Sequence, residues 1–96
     1  MPSTISYTFT EGSVSNTTSE VLADNSNRKF AKFINDSDTV MYLRIGENAV
    51  ANEGIRLSAT GGEYTMSPQH GNLSTREVDA IVGSGSGKVL LVIEGT

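Results

Sequence analysis

Near the carboxyl end the chain reads KVLLVIE, from Lys88 to Glu94, with five apolar residues in unbroken succession. The run is too short to cross a membrane and too β-branched to favour a helix. A strand of this kind implies cover on both faces, and the chain must build layers around it. No long helical period of apolar residues occurs anywhere in the sequence. Sheets must therefore supply the cover, and the chain is expected to be all-β, a small antiparallel β-sandwich or barrel with an extended N-terminal arm.

The remaining strands follow from short runs and turn formers. Lys29 to Asn35 (KFAKFIN) and Thr39 to Ile45 (TVMYLRI) flank Asn35-Asp36-Ser37-Asp38, which predicts a β-hairpin. Met41, Leu43 and Ile45 fall on one face of the second strand. Ala49 to Glu53 could hold a helical turn, but it is too short to stand alone. Ile55 and Leu57 mark a third short strand, and Glu63 to Met66 a fourth that Pro68 stops. Glu77 to Val82 alternates Val78, Ala80 and Val82 against Glu77, Asp79 and Ile81. A hairpin connection through the glycine-rich loop then leads to the last strand.

Residues 1–27 differ in texture, being rich in Ser, Thr and Asn, and are expected to form an arm with one short strand ahead of a sandwich domain at 28–96. In the arm Ile5, Tyr7 and Phe9 alternate with Ser6, Thr8 and Thr10, giving a strand with one sticky face. Gly12 to Glu20 (GSVSNTTSE) reads as a loop. A lone alternating strand cannot bury its own face, so it must lie on the body or on another chain.

Composition narrows the function classes. A 96-residue chain makes one domain with one small core. With no cysteine there is neither a disulfide framework nor a thiolate metal site. A net charge of −4 argues against non-specific nucleic-acid binding. The start, MPSTISYTFTEG, lacks the basic and apolar regions of a signal peptide. The Asn-x-Ser/Thr triplets at Asn16, Asn35 and Asn72 then read as turn chemistry rather than glycan acceptors.

Gly83-Ser84-Gly85-Ser86-Gly87-Lys88 imitates a phosphate-binding loop but fails its requirements. Val82 stands where the first glycine belongs, Val89 where the Ser or Thr belongs, and a strand follows where a helix is needed. It reads as a solvated turn. His70 is the only histidine and has no neighbouring ligand residues, and no nucleophile elbow accompanies it. Asp36 and Asp38 lack the later Gly and Glu of a calcium loop. No catalytic residue, metal or cofactor is therefore expected. The basic group Arg28, Lys29 and Lys32, with Phe30 or Tyr42, could mimic a single-strand binder. Lys29 and Lys32 lie on opposite strand faces, so these cations read better as partner contacts at a strand edge.

From Asn27 to Thr96 the chain resembles small bacteriophage and prophage virion proteins. The matching pieces are NRKFAKFINDSDTVMYLRIGENAVANEGIRLSATGGEYTM and VDAIVGSGSGKVLLVIEGT. The resemblance implies a compact β-sandwich on the virion surface, a capsid decoration (cement) protein that binds the major capsid protein and neighbouring copies of itself. The alternative is a tail, neck or fibre component. It also implies manufacture in the host cytoplasm; from the residues themselves, no enzymatic activity and no nucleic-acid or membrane partner are expected. A homotrimer at three-fold positions of the shell is the expected arrangement, with Ile5, Tyr7 and Phe9 as contact residues. A carbohydrate-binding domain is disfavoured because Trp is absent and most Tyr and Phe belong to strands.

Overall fold

The computed structural model describes residues 4–96; residues 1–3, the start of the expected arm, lie outside them. Eight strands form: β1 (Tyr7–Val14), β2 (Ser19–Leu22), β3 (Phe30–Asn35), β4 (Met41–Ile45), β5 (Ile55–Leu57), β6 (Glu63–Met66), β7 (Val78–Val82) and β8 (Lys88–Gly95). They pair in two four-stranded sheets, ordered β1-β8-β3-β6 and β2-β7-β4-β5. All pairings are antiparallel. This interleaved order, in which consecutive strands alternate between sheets except at β4 and β5, is that of an eight-stranded jelly roll.

The core lies between the sheets. β3 contributes Ala31 and Phe33, β4 Met41 and Leu43, β7 Val78, Ala80 and Val82, and β8 Leu90 and Val92. Each follows the period of two that alternation predicts. Burying a side chain such as Phe33 or Leu43 stabilises by about 1.5–3 kcal/mol relative to leaving it exposed.

Both expected hairpins are corrected by the topology. β3 lies in the first sheet and β4 in the second, so Asp36–Val40 crosses between layers. Asn35 is the reason the chain can turn there. Fully buried, it donates from Nδ2 to the carbonyls of Thr39 (2.8 Å) and Leu57 (3.1 Å) and accepts from the Ser37 hydroxyl (2.7 Å). The glycine-rich loop likewise carries the chain from β7 in one sheet to β8 in the other. β4 and β5 are the one consecutive pair of strands that also pair in a sheet.

The boundary expected at residue 27 is not a boundary of packing. β1 extends through Gly12 to Val14, and β2 begins at Ser19, so the stretch read as a loop is loop only in its middle. β1 pairs with β8 along its whole length, from Tyr7 opposite Gly95 to Val14 opposite Lys88. Val14 is fully buried in the core. The sequence hides this because Gly12 and Ser13 are weak strand formers that only pairing with β8 holds extended.

β8 departs from its expected double cover. Leu90 and Val92 enter the core, whereas Val89, Leu91 and Ile93 are half-buried on the outer face. Ala49–Glu53 forms a turn closed by Glu53 N–H donating to the Val50 carbonyl, with no helix. Among the described residues no helix is long and apolar enough to cross a membrane.

Candidate functional site

The outer face of the first sheet carries the largest exposed aromatic groups. Register sets Phe9, Ile93 and Lys32 in one row across β1, β8 and β3, and Glu11, Leu91 and Ile34 in the next. A shallow cleft of about 280 Å³ opens between them, lined by Phe9, Glu11, Ile34, Leu91 and Ile93. Phe9 is 72% exposed and Tyr7 51%. β1 lies at the sheet edge, and its far side has no partner strand among the described residues.

One row farther along, Tyr7 and Phe30 flank Gly95. Their rings meet edge to face with centroids 5.8 Å apart. Gly95 makes the contact possible: a Cβ there would stand 2.7 Å from Ile5 Cγ2 and 3.1 Å from both Phe30 Cβ and Tyr7 Cε1. Ile5, Tyr7 and Phe9 thus share one face as alternation predicts, but they differ in what they do. Ile5 and Tyr7 close over Gly95, while Phe9 remains open to solvent.

The basic group is dispersed. Arg28, expected as a partner contact, is only 2% exposed. Its Nε pairs with Glu94 at 2.8 Å, and its remaining nitrogens donate to the carbonyls of Ala23, Ser74 and Arg76. These acceptors come from distant segments, so the guanidinium fastens the fold from within and offers no charge to a partner. Lys32 lies on the outer face of β3 and pairs with Glu63 at 3.3 Å. Lys29 is exposed just before β3.

The imitation phosphate loop is accounted for by an ion pair. Gly85 and Gly87 take φ of 94° and 66°, the left-handed values that glycine tolerates. Lys88 Nζ then reaches Asp38 Oδ1 at 2.8 Å. Hydrogen bonding from Lys88 and Thr39, with the Lys88 charge, holds the Asp38 carboxyl below its ordinary value.

His70 is exposed, and its Nδ1 lies 2.6 Å from Ser67 Oγ. Ser67 is buried and its Oγ also accepts from the His70 backbone N–H, which makes the pair a turn brace. Among the described residues no carboxylate hydrogen-bonds to His70.

A group of carboxylates escaped the sequence reading. Glu20 on β2 stands directly across from Asp79 on β7, with Glu77 two residues before Asp79. Carboxylate oxygens of all three lie within 4.8 Å of one another. Asp79 Oδ2 accepts from Thr18 Oγ1 at 3.3 Å, and Thr18 in turn accepts from the Ala49 N–H. Hydrogen bonding with Asp79, then burial, then the negative charges of Asp79, Glu20 and Asp24 push the Glu77 carboxyl above its ordinary value. Asp79 Oδ1 is buried and has no hydrogen-bond partner. Alternation displayed Glu77 and Asp79 on one face but assigned that face no role. The third member, Glu20, comes from the stretch read as a loop.

No family model, curated protein or solved structure matches the chain.

Proposed function

We propose that the chain is a structural protein of a phage virion, a decoration protein that seats on the head shell as a small homo-oligomer. The observation that carries the reading is the edge of the first sheet. β1 offers a strand edge that is unpaired among the described residues, beside an open Phe9 and the half-buried Leu91 and Ile93, a combination suited to contact with a neighbouring copy. The eight-stranded jelly roll recurs among viral capsid proteins, as it does among lectins and cupins, so the architecture supports the reading by analogy. The resemblance read in residues 27–96, which rests on the same strands and turns, points the same way.

Repetition on a shell makes a modest contact sufficient. Many tethered copies multiply a weak interaction, so an apolar patch centred on one aromatic ring can serve. Three copies around a three-fold axis of the shell would close the interface without leaving a free edge.

The test is the mass of the purified full chain by light scattering, followed by co-sedimentation with heads of the phage that encodes it. The expected result is a trimer that pellets with the shell, and a Phe9→Glu variant that is monomeric and stays in the supernatant. A monomeric wild-type chain that ignores the shell would overturn the reading. A copy number of about a dozen or fewer per particle would move the protein to the tail, neck or fibre.

A further inference from the structure

Sheet pairing brings negative charge together at the β2–β7 junction without a salt bridge to balance it among the described residues. Among the described residues no Lys or Arg pairs with Glu20, Glu77 or Asp79. Arg44 stands opposite Asp79 on β4, yet its guanidinium goes instead to Glu47 at 2.8 Å and Glu53 at 3.5 Å. Asp79 is only 4% exposed, and its Oδ1 is buried without a hydrogen-bond partner. A buried carboxylate oxygen left unpaired is costly, and the cost is removed by a proton or by a bound cation.

We propose that Glu20, Glu77 and Asp79 bind a divalent cation of the calcium class, which clamps β2 to β7. The donor set is all carboxylate, the chemistry that hard cations prefer over nitrogen- and sulfur-seeking metals. Oxygens within 4.8 Å of one another can share one ion. Ligand oxygens lie about 2.3–2.6 Å from calcium, which accepts an irregular shell. Glu20 is exposed and Glu77 half-buried, leaving open positions for water on the solvent side. Magnesium demands near-ideal octahedral geometry and suits such a set less well. The bonds would reinforce a weak element, because β2 has four residues and its register slips between Glu20 and Leu22.

The experiment uses the full chain, stripped with chelator and titrated with calcium chloride by calorimetry and thermal melting. Sodium chloride at matched ionic strength and magnesium chloride serve as controls. Saturable calcium binding is expected, with a melting temperature raised by on the order of 10 °C at a hundredfold excess over Kd. Amides of residues 19–22 should exchange more slowly in the calcium form. A Glu20→Gln/Glu77→Gln variant should keep its β circular dichroism and lose the shift. Should that variant misfold, Glu20→Gln alone, altering an exposed side chain, must weaken binding at least tenfold. Absence of saturable binding up to about 10 mM calcium overturns the proposal, as does undiminished binding in the variants or an equal shift with magnesium.

Discussion

Arg28 and Glu94 lie 66 positions apart in sequence and form an ion pair of 2.8 Å at the margin of the core. The same guanidinium caps carbonyls of Ala23, Ser74 and Arg76. One side chain therefore joins the segment after β2, the segment before β7 and the end of β8.

Removal of that side chain leaves Glu94 partly buried without its counter-charge and three carbonyls without a donor. Arg28→Ala is expected to destabilise the chain by about 3–5 kcal/mol, measured by urea denaturation. Arg28→Lys should recover only part of the loss, because an ammonium cannot reproduce the planar fork.

Asn35 predicts a second large effect. Its amide donates to two carbonyls while its oxygen accepts from Ser37. In Asn35→Asp the acceptor survives but both donors are lost, and a charge is buried. The expected loss is about 3 kcal/mol or more, with the midpoint of chemical unfolding as the check.

Gly95 is constrained by space rather than by its backbone angles. A methyl group there must displace Ile5, Phe30 and Tyr7. Gly95→Ala should cost about 1–3 kcal/mol and separate the two rings. Loss of the ring-current shifts between Tyr7 and Phe30 in the NMR spectrum would record the separation.

The exposed ring of Phe9 calls for the opposite outcome. Phe9→Glu should alter the stability of the isolated chain by about 1 kcal/mol or less, because little of the ring is buried. Its effect on assembly can then be read without a folding defect, by comparing thermal melting with solution mass.

Asp38 and Lys88 set a pH dependence. The folded Asp38 carboxyl titrates below the ordinary value of 3.8, chiefly because Lys88 donates to it. A depressed carboxylate contributes stability above its unfolded value and loses it as pH falls through the folded value. The contribution is thus complete at neutral pH and disappears in the acid range. In Lys88→Ala the Asp38 midpoint should rise toward 3.8, as followed by carboxyl NMR.

Period-two alternation was readable because it is local: Met41 and Leu43, or Val78 and Ala80, turn inward whatever the strand's partner. That sufficed for an all-β sandwich and for rejecting the phosphate loop, since Val89 announces a strand where a helix would be required. Partnership between strands was a different matter. Both expected hairpins joined sequence neighbours, whereas this topology sends every pair of neighbours except β4 and β5 to opposite sheets. Arg28 looked like a surface cation because its acceptors lie far along the chain, and Glu20 looked like loop because its partner Asp79 is contributed by β7. The amino-acid order by itself determined most of the extended segments and the alternation of their faces, through sterics and the pleat. It did not determine the extension of Gly12–Val14 or of Ser19 and Glu20, which pairing with β8 and β7 supplies. Tertiary structure alone decided which strands meet, and with them the buried guanidinium, the open Phe9 and the gathered carboxylates, because contacts between distant segments depend on the packing of the whole chain.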